Sequence, residues 1–116
     1  MKKITRVFTL LAVFLLVGIS GTALAASTGT VTGTYFAATP IETFNSLFKL
    51  LSDGDYAAFD AAFPEAVAAG NAISLHKGDS VYFEGSEGFL SGIIKIRLPG
   101  KSTVYFTVME AVKLDS

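Results

Sequence analysis

The chain of 116 residues has no cysteine, a single histidine and three prolines, and only 16% of its residues are charged. Each scarcity removes a class of explanation. Without cysteine there can be no disulfide framework, the usual support of small secreted domains with thin cores, so the fold must rest on its own core or on a partner. Lipid attachment through a cysteine after the leader is excluded for the same reason. One histidine, His76, leaves one candidate for any histidine-based dyad, and a metal site would have to be built from carboxylates. Long apolar runs are also missing. The longest, Val7–Ile19, has 13 residues, short of the ~20 that a helix needs to cross a bilayer.

That run nevertheless has a context. Lys2, Lys3 and Arg6 precede it, and small residues ending in Ala23-Leu24-Ala25 follow. Positive charge, an apolar stretch and an A-x-A site in this order predict a secretory signal peptide over residues 1–25, cleaved between Ala25 and Ala26. Contact with the membrane is then confined to the leader before cleavage. Removing it leaves 91 residues, with six basic side chains against ten acidic ones, a net charge of −4. Phosphate backbones and anionic surfaces reward basic patches, so nucleic acid is not an expected partner. The Met-Lys-Lys start and short leader point to a bacterial source, and to the periplasm ahead of the medium.

The remainder reads as one small α+β domain over residues 26–116. A Ser/Thr/Gly-rich run over Ala26–Thr34 whose start is a loose tail, and a first strand over Val31–Ala37, are expected from these residues and the β-branched and aromatic ones among them. Thr39-Pro40-Ile41-Glu42 predicts a helix start, with Thr39 as cap. Ile41, Phe44, Leu47, Phe48 and Leu51 then form an apolar stripe. Asp55 caps a second helix bearing Tyr56, Phe59, Phe63 and Val67, with a break or kink expected at Pro64. The helical pair spans residues 40–69. Beyond it the period becomes two. Strands are predicted over 72–75, 80–84, 94–98 and 103–108, and a single helical turn over 109–114. Val104, Phe106 and Val108 are assigned to the core face, with Tyr105 and Thr107 opposite. The helix stripes must cover one face or one open end of this antiparallel sheet.

The runs Lys77-Gly78-Asp79-Ser80-Val81-Tyr82-Phe83, Gly92–Arg97 and Val104–Thr107 resemble a bacterial SH3-like small β-barrel, over about residues 72–112. The resemblance implies a strand after a Gly-Asp turn, a central hairpin and a closing helical turn, giving an SH3-like sheet or partial barrel under the helices. It also implies a domain that binds cell-wall peptides or other proteins without catalysing a reaction. The helical pair is not part of that pattern.

Chemistry-bearing residues are few. His76, Asp79 and Ser80 share one turn, an arrangement in which nucleophile, base and orienter rarely assemble, and a solvated turn histidine is the simpler reading. Asp53, Asp55 and Asp60 fail as a calcium loop, because Ala57 stands where an oxygen ligand is needed and Pro64 where the closing Glu belongs. Gly85, Gly88 and Gly92 match neither a dinucleotide nor a phosphate loop. No cofactor is expected. Tyr82 and Tyr105, with Arg97 beside them, are the candidate binding residues: on one sheet face they would make a shallow groove for an envelope protein, a cell-wall peptide or a glycan, the simpler reading being that the helical pair covers this face and the rings are core edge. On this reading both tyrosines can be replaced by Ala with loss of binding and an intact fold. The expected function is that of a small exported, non-enzymatic binding domain. The alternatives are a small hydrolase or lyase using His76, and a structural subunit docked on a larger envelope complex.

Overall fold

The computed structural model describes residues 27–88 and 90–115. The predicted leader and its Ala25–Ala26 junction lie outside them. The elements run β1 (Ser27–Val31), β2 (Tyr35–Ala38), α1 (Ile41–Ser52), α2 (Tyr56–Ala68), β3 (Ala72–Leu75), β4 (Ser80–Ser86), β5 (Ile93–Arg97) and β6 (Val104–Val108). A 3-10 turn (Met109–Ala111) and β7 (Val112–Leu114) close the chain. All seven strands form one sheet in the order β3-β2-β6-β5-β4-β1-β7, and every pairing is antiparallel. The fold is α+β, two helices on a seven-stranded sheet.

That sheet cannot be flat. Strands β3 and β4 are joined by a tight turn in which the Asp79 amide donates to the His76 carbonyl at 3.0 Å. Yet they stand four places apart in the strand order, which in a flat sheet would separate them by about 19 Å at the usual strand spacing. A turn of this kind holds its ends within about 7 Å. The sheet therefore curls until β3 approaches β4, and the end of β1 is sewn to the same turn. There Val31 N donates to the Asp79 carbonyl, and Gly78 N to that of Val31. Inside the curl, Val31, Leu75, Val81, Ile96 and Tyr105 share one core, and even Leu75 of edge strand β3 is only 1% exposed.

A second core lies outside the curl, where α1 and α2 cover β2, β3 and β6. Phe44 and Leu47 of α1 are buried there against Ala38 and Ala72, with Phe59, Ala62, Phe63 and Ala66 of α2 packed alongside. Each fully buried apolar side chain contributes at most about 1.5–3 kcal/mol. Helix α2 has no fully buried residue: its inner line runs through Phe59, Ala62, Phe63 and Ala66, while Tyr56 and Val67, expected in the stripe, point to solvent.

Several expectations are corrected. The supposed loose tail is β1, paired between β4 and β7, and β2 is a separate strand after a turn at 32–34. Gly29 permits this, since a Cβ there would come within 2.5 Å of Val112 Cγ1 and 3.2 Å of the Lys113 carbonyl oxygen. Small size lets β1 lie close against β7. Helix α1 is capped by Pro40, whose carbonyl accepts the Thr43 and Phe44 amides, and no side chain caps that end. Thr39 is instead tied by its amide to the Asn71 carbonyl, beside the start of β3.

Helix α2 runs through Pro64 without a break. The carbonyl that loses its partner belongs to Asp60, on the solvent side where water can serve it, while Phe59 and Phe63 hold the flanking turns against Phe36. The helix ends where Gly70, at φ 82°, turns left-handed and the Asn71 amide reaches back to the Ala66 carbonyl. In β6 the faces are exchanged: Tyr105 and Thr107 are the buried pair, and Phe106 and Val108 lie half-buried under the helices. The closing helical turn spans only Met109–Ala111, and Val112–Leu114 pairs with β1 as a strand.

Candidate functional site

The tyrosine groove fails on strand register. Tyr82 of β4 stands opposite Arg97 of β5, and Arg97 opposite Val104 of β6; Phe83, Ile96 and Tyr105 form the neighbouring row. Side chains alternate along a strand, so the two rows face opposite sides. Tyr105 is in the inner core at 9% exposure, and Tyr82 is half-buried on the outer face. The structure brings Tyr82 and Arg97 together and separates both from Tyr105.

Arg97 is already occupied. Its guanidinium carbon lies 4.7 Å from the Tyr82 ring centre, Nε donates to Glu84 Oε2 at 2.9 Å, and Nη1 donates to the Lys101 carbonyl at 3.1 Å. A bulge between Phe83 and Gly85 shifts the register there, and Gly85 meets the strain with φ 121°. Arg97 thus braces the β4–β5 pairing and the turn after β5.

The other candidates resolve into local structure. The His76 imidazole is exposed, with Nδ1 3.7 Å from Asp79 Oδ2. That same carboxylate oxygen accepts the His76 backbone amide at 2.9 Å and so closes the turn. Ser80 is an exposed residue at the start of β4. Asp53 accepts from Lys49 at 2.8 Å, and this hydrogen bond, then the charge attraction, holds the lysine pKa above its usual range. A raised lysine pKa means any stabilisation is present at neutral pH and lost only as pH climbs through that range. With both groups open to water it is small. Asp55 caps α2 by accepting the Ala58 amide. Among the described residues no three His, Asp or Glu side chains gather as metal ligands.

What sequence reasoning missed is a cleft of about 390 Å³ between the helical pair and the sheet. Its floor is Phe36 of β2 with Thr107 and Val108 of β6; Phe44, Phe48 and Leu51 of α1 form one wall, and Phe59 and Phe63 of α2 the other. The phenylalanines form two stacks bridged by the sheet. On α1, Phe44 and Phe48 stack at 5.6 Å; on α2, Phe59 and Phe63 stack at 5.3 Å. Phe36 lies stacked on Phe44 at 5.4 Å and edge-on to Phe59 and Phe63 at 5.5 and 5.9 Å.

Among the described residues, no charged side chain lines this space. Thr34 and Ser74 also line it, and the buried Thr107 hydroxyl is consumed by donating to the Phe36 carbonyl at 2.8 Å. The cleft can hold an uncharged apolar group and offers no acid, base or nucleophile to it. One signal in the chain did point here. Four of the five phenylalanines fall at helical spacing on two consecutive helices, a pattern that also describes a closed core.

The Thr107 bond secures the floor. Strands β2 and β6 share a single paired position, Ala38 opposite Phe106, so the hydroxyl stands in for the rest of that ladder. Thr107→Val, nearly the same shape, leaves the Phe36 carbonyl short of its donor and is expected to lower stability by about 1–3 kcal/mol. Urea unfolding followed by circular dichroism measures this; an unchanged midpoint would show that the carbonyl finds another partner. No protein-family model matches the chain, and neither a curated protein nor a solved structure resembles it significantly.

Proposed function

We propose that the chain is a small exported, non-enzymatic binding domain of the bacterial cell envelope, acting by taking an uncharged apolar group into the phenylalanine cleft. The observation that carries this reading is the cleft itself: about 390 Å³ of carbon-lined space, within the ~300–1,000 Å³ of small-ligand pockets, and without charge. Such a lining disfavours a glycan and favours an apolar ligand or an apolar side chain of an envelope peptide. Export is supported by the charge, apolar run and A-x-A order of residues 1–25. The SH3-like reading of 72–112 is supported by the succession of the Gly78-Asp79 turn, the β4–β5 hairpin, β6 and a short helical turn.

The test is uptake of N-phenyl-1-naphthylamine, an uncharged probe that brightens in apolar surroundings, by the mature chain. One equivalent is expected to bind. Leu51→Trp, which fills the cleft from the α1 wall, should weaken binding at least tenfold with an unchanged circular dichroism spectrum. Equal binding by the filled variant would place the probe elsewhere and remove the proposal. The hydrolase or lyase alternative retains only His76, outside the cleft lining and in an open turn. A docked structural subunit is favoured by the exposed Tyr56 and Val67 on α2 and would appear as concentration-dependent self-association or as a poorly ordered isolated chain.

A further inference from the structure

Resting on the binding reading above, we infer that the cleft selects a flat, uncharged aromatic ring system, of one or two fused rings with a single polar group, over saturated ligands of the same size. The first argument is composition. Five of the ten phenylalanines in the chain line this one space, and among the described residues Leu51 and Val108 are its only aliphatic members. An alkyl chain gains from apolar area alone, which leucine or isoleucine would supply as well. A ring gains more against rings. Each offset-stacked or edge-to-face contact adds about two- to twelvefold in affinity beyond the area it covers.

Geometry supplies the second argument. The rings already adopt both arrangements: stacks along each helix at interplanar angles of 13° and 12°, and edge contacts from Phe36 at 62° and 74°. They have not closed on one another. Phe48 stays 41% exposed, and Phe59 and Phe63 stay half-buried, so ring surface remains for a guest. The third is size. At about 390 Å³ the cleft lies near the lower end of small-ligand sites, room for a compact ring system with a small substituent.

The polar group has a defined place. Ser74 is paired with Phe36 across β2 and β3 and so shares its face, and Thr34 lines the same cleft two residues before Phe36. Both hydroxyls belong to exposed residues, where a hydroxyl or carbonyl on the guest can exchange hydrogen bonds with them while its ring stays inside. A carboxylate or ammonium would meet no countercharge in the lining.

The experiment is displacement of N-phenyl-1-naphthylamine from the mature chain by 1-naphthol and by decahydro-1-naphthol. These share one carbon skeleton and one hydroxyl and differ in flatness and aromaticity. The naphthol is expected to displace the probe at a concentration at least about fivefold lower. Equal potency, or the reverse order, overturns the ring preference and leaves the binding reading standing. Failure of the probe itself to bind overturns both.

Phe48→Leu at the open side of the cleft removes a ring and keeps an apolar side chain where folding is least at risk. It should bring the two compounds closer to parity by weakening 1-naphthol alone. A preference that survives Phe48→Leu unchanged, and also Phe63→Leu on the opposite wall, would show that the phenylalanine faces are not its source.

Discussion

Tyr105→Ala is expected to lower the unfolding free energy by about 3–5 kcal/mol, the range for emptying a buried aromatic site, whereas Tyr82→Ala should lower it by only about 1 kcal/mol. Tyr105 is 9% exposed and sits in the inner core beside Ile96, with the sheet curled over it. Its removal leaves a hole lined by side chains from several strands, which cannot all move in to fill it. Tyr82 loses its contact with the Arg97 guanidinium and a cross-strand pairing on a half-open face. A domain of this size holds roughly 5–14 kcal/mol in total, so the first substitution removes about a fifth or more of the stability and the second about a fifth at most. Urea unfolding of both variants, followed by circular dichroism, separates them. Similar losses would mean that the two side chains share a face after all. The outcome also bears on how binding data are read, because lost binding in Tyr105→Ala would report a damaged fold.

Legibility in this chain follows how many faces of each strand are covered. Strand β5 alternates Ile94 and Ile96 with Lys95 and Arg97, and its buried and wetter faces lie as that pattern predicts. Strand β6 carries Val104, Tyr105, Phe106, Thr107 and Val108. It is covered by the curl on one side and partly by the helices on the other, so alternation could not say which face was inner. The curl is a long-range property: it depends on β1 returning to lie between β4 and β7, which a Ser/Thr/Gly run does not announce. What makes it work at Gly29 is the absence of a side chain against Val112. Pro64 does not break α2 because one lost hydrogen bond at Asp60 costs less than Phe59 and Phe63 gain by holding the flanking turns against Phe36. The cleft was hidden for a related reason. Stripes at 41–51 and 56–67 give the direction of two helix faces but not the distance at which they settle above the sheet. That distance separates a closed core from a site.

Phe44→Ala tests the fold and the site together. Phe44 is 1% exposed, stacks on both Phe36 and Phe48, and lines the cleft, so truncation should destabilise the domain by about 3–5 kcal/mol while enlarging the space above Phe36. A cavity lined by carbon stays dry and gains by accepting an apolar guest. Any molecule that binds only the folded chain stabilises it by RT ln(1 + [L]/Kd), about 2.7 kcal/mol at one hundred times Kd. Saturating 1-naphthol is therefore expected to raise the urea midpoint of Phe44→Ala by an amount comparable to most of what the substitution removed. Leu75→Ala, destabilised inside the curl and away from the cleft, serves as the comparison, and there the ligand should add only what it adds to the parent chain. If naphthol raises both midpoints equally, the enlarged cleft gives no advantage to the guest. If it raises that of Phe44→Ala by more, the space between the two phenylalanine stacks is where the ring is held.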